Sequence, residues 1–409
     1  MTDQNNNIDH ISRLLRILLC HLALILLMVC SVAQAAESNE QATNSSSQAA
    51  TGSAEKQDTP TKSPSKPPSE WDKFVPPRDE KFDWIQLTSG EWLKGELNFL
   101  YNYSLEFDSD ELDLQKFDWE DIKQIRSAGY QSVLIETGPR TTMTAIGLIE
   151  LVGDKLRVTA DDQAIEFDRD QIISIAKGSS DIADLWSGKI ALGINVRSGN
   201  SELVDSNFTA YARRRTSQSR VALDYVGNFS KAEGVETSNN HRFNAHYDIF
   251  KTSKYFWRPV FAEYVRDRFK NINNQVSLGT AFGYHIIRNS KTEWEISGGV
   301  GALYKQFVSV EAGQDSENTS PALGLGTRYE TDITSWLEYL FDFSFQIVDK
   351  EAGTYIHHLV TTLESDLLRD LDLDISIVWD RVEDPQPAED GTVPEQDDFQ
   401  LIVGVSYEF

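Results

Sequence analysis

Hydrophobic and polar residues alternate along most of the chain from Gly188 to its end. In the last segment, Asp398–Phe409, nearly every second side chain is apolar. A two-residue period puts these side chains on one face of a β-strand, as expected for a strand between two different media. The pattern recurs in twelve segments, which we predict to be strands at 188–197, 203–214, 219–231, 238–250, 255–267, 273–287, 293–307, 317–331, 334–348, 353–368, 371–382 and 397–409.

The connections between these segments alternate in length. Those after even-numbered segments are short, as at 216–218, whereas those after odd-numbered segments are mostly longer and polar, as at 231–237 and 383–395. Bacterial transmembrane barrels combine an even strand number with short periplasmic turns and longer outer loops. The sequence therefore predicts an antiparallel transmembrane β-barrel of about twelve strands over residues 187–409.

Residue parity assigns the two faces of the predicted barrel. Ile190, Leu192 and Ile194 should meet lipid, whereas the opposite face is polar and carries both signs of charge. The predicted lumen charges are Lys189, Arg197, Asp205, Arg213, Asp224, Arg242, Asp248, Glu295, Arg328, Glu330, Glu338 and Asp342. They either line a narrow path for small ions or solutes or pair across the lumen and seal it, because unpaired charge in a confined space is costly.

A different pattern precedes the barrel, in residues 81–178. Two copies of one motif, within 81–128 and 129–178, end in the similar runs 117–125 and 167–175. Each copy offers three to five short strands broken by Gly or Asp turns, which is typical of small SH3-like β units. We predict a periplasmic domain of two such repeats, with a structural or docking role.

The first eighty residues read as targeting and linker segments. Residues 1–35 contain an apolar run followed by Ala33 and Ala35, which predicts a signal peptide cleaved after Ala35; a retained anchor helix is the alternative. Residues 36–80 are polar and rich in Ser, Thr and Pro, so they should form a disordered linker. Both cysteines lie in the signal segment, and no disulfide or thiolate site would survive its removal.

Charge and histidine placement exclude several functions. The net charge of −26 argues against nucleic acid as a partner, because phosphate binding needs a basic surface. The five histidines after the signal segment are scattered over several strands, so no hydrolase triad is predicted, and no cofactor or metal site is expected. An acidic loop at 383–398 could collect calcium or magnesium, but its spacing fits no known ligand loop and a solvated cluster is favoured.

The barrel segment resembles the YdiY-like family of salt-induced outer-membrane proteins. The resemblance rests on Gly188–Gly193, Ser198–Ser201, Tyr264–Phe269 and Gly404–Phe409, in that order. It implies a Gram-negative outer-membrane location and offers no catalytic residues. A final strand that carries Tyr407 and ends on Phe409 also resembles the insertion signal that the barrel-insertion machinery reads.

Two functions remain open at this stage. The first is a narrow, porin-like channel or envelope component linked to osmotic or salt adaptation. The second is a non-conducting barrel that anchors a periplasmic β domain, which then binds a partner or the cell wall. The sequence predicts neither an enzyme nor the solute, gating signal or oligomeric state.

Overall fold

The computed structural model describes residues 76, 81–109, 112–138, 141–161, 163–178, 185–197, 202–368 and 371–408. The predicted signal peptide with Ala33 and Ala35, nearly all of the predicted linker, and Phe409 lie outside these residues. The described part is built almost entirely of β-strands with a few single-turn 3₁₀ helices. Among the described residues, no helix is long and apolar enough to cross a membrane.

The C-terminal half folds as a closed antiparallel barrel of twelve strands. Its strands are β11 (Trp186–Arg197), β12 (Leu203–Arg215), β13 (Ser219–Ala232), β14 (Val235–Phe250), β15 (Tyr255–Asp267), β16 (Ile272–Arg288), β17 (Thr292–Phe307), β18 (Glu317–Thr334), β19 (Leu337–Ile347), β20 (Tyr355–Leu368), β21 (Leu371–Val382) and β22 (Asp397–Glu408). They pair in chain order, and β11 closes the barrel on β22 with Ile190 opposite Tyr407. The predicted fold class is thereby confirmed.

One connection differs clearly from the prediction. The expected loop at 231–237 is a two-residue turn, Glu233–Gly234, between β13 and β14. Both turn residues have positive φ, 49° and 79°, as the tightest hairpin turns require. The extra strand residues, Ala232 and Val235–Thr237, are too few to show an alternation from which a strand could be predicted.

The outer face of the barrel is an apolar surface. Leu192, Phe282 and Leu401 expose 53%, 67% and 67% of their surfaces. Leu192 and Leu401 alternate with inward-facing residues along their strands, as parity predicts. Such a surface is unfavourable in water and favourable in a bilayer, which is the construction of membrane-spanning β-barrels.

Ten strands form a separate sheet that precedes the barrel, here called the N-terminal β domain. They are β1 (Asp83–Leu87), β2 (Trp92–Tyr101), β3 (Ser104–Ser109), β4 (Asp113–Asp118), β5 (Ile122–Arg126), β6 (Gln131–Gly138), β7 (Thr141–Val152), β8 (Lys155–Ala160), β9 (Gln163–Asp168) and β10 (Ile172–Lys177). The first five strands pair in the order β5-β1-β2-β3-β4, and the second five repeat this order as β10-β6-β7-β8-β9.

The two repeats exchange strand pairings. The last strand of each repeat also pairs with the second strand of the other, β5 with β7 and β10 with β2. Six strands therefore close a small barrel in the order β1-β5-β7-β6-β10-β2. Its core is shared, because Leu97 and Phe107 of the first repeat pack in one cluster with Ile135 and Ile149 of the second.

A buried carboxylate joins three segments of the first repeat. Asp83 Oδ2 accepts a hydrogen bond from the backbone N–H of Leu97 at 2.7 Å, and Oδ1 accepts one from that of Ala128 at 2.6 Å. Burial raises the pKa of Asp83, while the two backbone donors oppose that rise. The side chain satisfies two amides, one of them at the junction between the repeats.

Candidate functional site: the barrel lumen and its floor

The N-terminal β domain lies across the end of the barrel that carries the short turns. It contacts three of these turns, at 216–218, 251–254 and 289–291. The contacts are Ser132 Oγ with Ser217 Oγ, Ser174 Oγ donating to the Ser217 carbonyl, Gln218 Nε2 donating to Thr144 Oγ1, Ser253 Oγ donating to Tyr103 Oη and the Ser290 amide donating to Asp118 Oδ1. The domain therefore forms a floor beneath the lumen.

Aromatic side chains fill the centre of this floor. Tyr101 of the N-terminal β domain stacks on Phe250 of the barrel with ring centroids 3.9 Å apart, and its ring edge meets His285 at 5.4 Å. Tyr101, Phe250 and Phe256 are each at least 97% buried. Phe99, Leu134, Ile173 and Ala176 of the N-terminal β domain complete the cluster. The contact is an apolar interface whose side chains have almost no accessible surface.

Phe250 and Phe256 do not lie where aromatic residues at strand ends are usually expected. Their place next to the short turns suggests an interfacial girdle that faces lipid. Both point inward instead, and a Cβ at Gly283 would overlap the Phe256 ring, so this glycine makes room for the floor. Phe250 has the same parity as lumen residue Asp248, which is the sequence signal that identifies its direction.

Two ion pairs flank the aromatic centre and join the two parts of the chain. Arg215 Nη1 lies 2.6 Å from Glu106 Oε1, and Lys116 Nζ lies 3.4 Å from Glu330 Oε1. Burial raises the pKa of Glu106, but the adjacent Arg215 outweighs this and brings the pKa below its ordinary value of 4.5. The floor thus combines apolar packing with charge complementarity.

Above the floor, ion pairs cross the lumen. Arg220 of β13 donates to Asp248 Oδ2 at 2.7 Å on the next strand and to Glu295 Oε2 at 3.1 Å on β17, four strands away. Arg258 of β15 donates to Asp248 Oδ1 at 2.7 Å. Both oxygens of Asp248 accept hydrogen bonds, and its side chain is fully buried. These contacts connect β13, β14, β15 and β17 in the part of the lumen next to the floor.

A second network spans the lumen nearer the long loops. Arg242 of β14 pairs with Glu263 on the next strand and with Asp380 Oδ1 at 3.0 Å on β21. Asp380 also contacts His358 Nδ1 at 2.7 Å and Lys270 Nζ at 2.9 Å. Since β14 and β21 lie on opposite sides of the barrel, this network ties the two walls together.

A third cluster lies against the wall where the barrel closes. Lys189 Nζ of β11 is 2.5 Å from Glu364 Oε1 and 2.7 Å from Asp372 Oδ2. Three carboxylates surround this one ammonium, because Asp374 Oδ1 lies 3.9 Å away. The cluster is acidic overall and is distinct from the arginine-rich centre of the lumen.

A cavity of about 400 Å³ remains in the middle of the lumen. Its charged lining consists of Arg213, Arg220, Asp224, Arg242, Arg258, Glu263, Glu295, Arg328 and Asp342, together with His246 and His358. Five of these are arginines and four are acids, although the whole chain has a large acidic excess. A second cavity of about 90 Å³ lies toward the long loops and is lined by amides and carboxylates, including Asn228, Asn240 and Gln400.

The residues predicted as lumen charges occupy several levels. Arg213, Asp224, Arg242, Glu295, Arg328 and Asp342 line the central cavity, and Asp248 and Lys189 are paired in the networks above. Glu330 meets Lys116 at the floor, and Glu338 is the cross-strand neighbour of Asp332 nearby. Arg197 ends β11 and is exposed, and Asp205 lies near the same end of β12.

Other residues of the site were absent from the predicted set. They are Arg220, Arg258, Glu263, His358 and Asp380 in the lumen and Tyr101, Glu106 and Lys116 in the floor. Parity alone could have identified the lumen residues. The floor residues have no such signal, because their contacts join segments more than a hundred positions apart in sequence, as for Arg215 and Glu106.

One group of side chains has the composition of a cation site. His285, Glu293 and Glu295 place one potential ligand atom each within 4.8 Å of one another. However, Glu295 already accepts from Arg220, whose positive charge opposes a divalent ion at this position. The geometry therefore favours an ion-pair role for Glu295.

Comparison with known proteins places the barrel in a family. The model of the family described as "Protein of unknown function, DUF481" matches residues 190–409. No curated protein sequence matches the chain.

Several solved structures match part of the chain. The NanC porin has a TM-score of 0.34 and 10% identity over 55% of this chain and 100% of its own. The β domain of the Bordetella autotransporter Brka has a TM-score of 0.28 and 9% identity over 55% and 97%. The outer membrane channel DcaP of Acinetobacter baumannii has a TM-score of 0.26 and 11% identity over 70% and 95%. At these scores, no property of those proteins transfers to this chain.

Proposed function

Because the chain belongs to the DUF481 family, whose description assigns no activity, we propose a function from its geometry. The protein is an outer-membrane β-barrel that forms a narrow channel for small charged solutes, and its N-terminal β domain closes the channel from the periplasmic side. The single observation that carries this proposal is the position of that domain. It covers the short-turn end of a lumen that still holds a cavity of about 400 Å³.

The membrane location is supported by the two faces of the barrel. Leu192 and Leu401 are largely exposed on the outer face, whereas charged residues such as Asp248 and Lys305 are almost completely buried on the inner face. A soluble barrel would reverse this distribution. The short turns and the N-terminal β domain would then face the periplasm, and the partners would be outer-membrane lipid and, through Tyr407 and Phe409, the barrel-insertion machinery.

A channel of this kind would be closed at rest. Small ions entering from the long-loop side would reach the cavity and stop at the stacked rings of Tyr101 and Phe250. Opening would require the N-terminal β domain to move away from the short turns, which breaks the ion pair of Glu106 with Arg215. We propose no catalysis, and the role in osmotic or salt adaptation rests on the family resemblance stated above.

The second candidate is a non-conducting barrel that anchors the N-terminal β domain for binding a partner or the cell wall. The ion pairs that cross the lumen favour it, since Arg220–Glu295 and Arg242–Asp380 occupy space that a solute would need. Both candidates share the same fold and location. They differ only in whether the lumen ever conducts.

Single-channel recording in planar bilayers distinguishes the two. Wild-type full-length protein should show rare openings, and Glu106→Arg should raise the open probability, because it replaces the ion pair with repulsion against Arg215. The double variant Glu106→Arg with Arg215→Glu restores opposite charges and should return the channel to rare openings. Silence of all three proteins would contradict the channel and favour the anchor.

A further inference from the structure

The arginines of the central cavity fall into two groups. Arg220, Arg242 and Arg258 are each engaged by a carboxylate at 2.7–3.0 Å. Arg213 and Arg328 are not, because within the described part of the chain the side chain of Arg213 has no ion pair and Arg328 has only Glu330, at 3.7 Å. Neither guanidinium donates a hydrogen bond to a described residue, so both keep N–H groups that a solute in the lumen could use.

These two arginines converge on one tyrosine. The guanidinium carbon of Arg213 lies 5.1 Å from the centre of the Tyr211 ring, and that of Arg328 lies 5.8 Å from it. Tyr211 belongs to β12 and Arg328 to β18, six strands away around a barrel of twelve, so they face each other across its full width. Tyr211 Oη and Arg213 Nε are both buried without a hydrogen-bond partner in the described residues.

Two guanidinium groups therefore lie beside one ring, each without a carboxylate at hydrogen-bond distance. Guanidinium groups are the donors with which proteins hold a carboxylate, because the planar group matches its two oxygens. A carboxylate that entered the cavity could accept from both arginines, which line it. A neutral solute would form no charged contact with either.

Two acids at the same level complete the arrangement. Asp224 is the cross-strand neighbour of Tyr211, and Asp342 is that of Arg328. Both line the central cavity, Asp342 is exposed to it, and neither side chain has a hydrogen bond or ion pair to another described residue. Their charges would repel a simple anion but would attract a cationic nitrogen placed beside the carboxylate.

We propose that this part of the cavity, lined by Arg213, Asp224, Arg328 and Asp342, is a binding site for small zwitterions that carry a carboxylate and an ammonium group, such as α-amino acids. The carboxylate meets the two guanidinium groups, which the Tyr211 ring flanks, and the ammonium faces the two aspartates. A cavity of about 400 Å³ is within the range of small-molecule sites. The inference rests on the proposed channel, to which it assigns a class of solute.

The site should distinguish a zwitterion from molecules that carry only a carboxylate or only an ammonium group. Propionate would satisfy the arginines but leave the aspartates opposite an apolar group, and ethylammonium would do the reverse. Each missing charged contact should lower the affinity by roughly tenfold to 100-fold. The remaining charges around the cavity, such as Glu295 and Arg258, are already paired and contribute little to this choice.

Isothermal titration calorimetry of the full-length protein in detergent micelles tests the site with three probes of matched shape: L-alanine, propionate and ethylammonium. L-Alanine should bind at least about tenfold more tightly than either of the others. Arg213→Gln, Arg328→Gln and Asp224→Asn should each weaken L-alanine binding by about tenfold or more. Tyr211→Phe removes only the hydroxyl and should weaken it less.

Arg214→Gln is the matched control. Arg214 follows Arg213 on β12, but its parity points it outward, so this substitution removes a neighbouring positive charge that does not line the cavity. Heat-modifiability in electrophoresis checks that each variant is folded, and the comparison of probes on wild-type protein needs no variant. Propionate binding as tightly as L-alanine, absence of binding by all probes, or an equal loss in Arg214→Gln would each overturn the proposal. If the protein binds L-alanine but never conducts, the proposed binding site stands and the proposed channel is refuted.

Discussion

Replacing Tyr101 with alanine should weaken the docking of the N-terminal β domain on the barrel. The Tyr101 side chain is 98% buried, and its main barrel contact is the stacked ring of Phe250, 3.9 Å away. It belongs to the interface cluster and not to the core of the N-terminal β domain, which is formed by residues such as Leu97 and Phe107. Tyr101→Ala should therefore weaken docking while the domain stays folded.

The size of the effect follows from the burial. Truncating a fully buried aromatic side chain to alanine costs about 3–5 kcal/mol, and the lost contact includes the stacking on Phe250 and the edge contact with His285, which lie between the domain and the barrel. Docking is a unimolecular step, so a loss of about 3 kcal/mol shifts the ratio of undocked to docked domain by roughly 100-fold. If the docked state is only moderately favoured, the undocked state becomes observable.

Hydrogen exchange and single-channel recording measure this shift. The backbone amides of the short turns at 216–218 and 251–254 should lose protection, those of β2 and β6 should keep it, and the open probability should rise. Tyr130→Ala is the matched control, because Tyr130 is 50% exposed on the same domain and outside the interface. Unchanged exchange at both turns in a folded Tyr101→Ala protein would show that the Tyr101 ring does not hold the N-terminal β domain on the barrel.

Three further predictions concern pH, the domain and the lipid face. Burial raises the pKa of Glu106, but Arg215 outweighs this and holds it below 4.5. The carboxylate therefore stabilises docking above its ordinary pKa, and this contribution is lost as pH falls through the depressed value. Hydrogen exchange at 216–218 should rise in acid in the wild type, with little pH response in Glu106→Gln. Asp83→Asn should destabilise the N-terminal β domain by about 1–3 kcal/mol, because an amide offers one acceptor to two backbone donors. Burial raises the pKa of Asp83, so the wild type should gain stability relative to this variant as pH falls through the raised value, which exchange of β1 and β2 amides can measure. Leu192→Arg should cost about 2–4 kcal/mol in denaturant titrations of the protein in lipid, and a cost near zero would show that Leu192 does not face hydrocarbon.

The barrel could be predicted from sequence because its two solvents impose a strict two-residue period. Every predicted strand overlaps an observed one, and their ends differ by at most three residues. The prediction was wrong where that constraint ends, at 231–237, because both faces of a hairpin beyond the hydrocarbon meet water. Parity likewise gave the direction of the lumen charges without giving their partners.

The ion-pair partner of each lumen charge depends on closure of the barrel, and closure leaves no local pattern in the sequence. Arg242 meets Asp380 because strand order and tilt bring β14 and β21 to opposite walls at one height, and this is a property of the whole sheet. The same holds for the floor, where Glu106 and Arg215 meet only after both domains have formed. Sequence reasoning therefore reached the fold and the direction of the lumen charges, but not the contacts that close the lumen or leave part of it unpaired.

The contrast between the floor and the central cavity limits how salt could act on this protein. The floor is held in part by the stacked rings of Tyr101 and Phe250, which added salt does not screen, and its ion pair of Glu106 with Arg215 is mostly shielded from solvent. The charges of Arg213, Asp224 and Asp342 face an open cavity without close partners, so ions entering the lumen would act on them first. A salt response that opened the floor directly would contradict this order, whereas one that altered solute binding in the cavity while the domain stayed docked would follow from it.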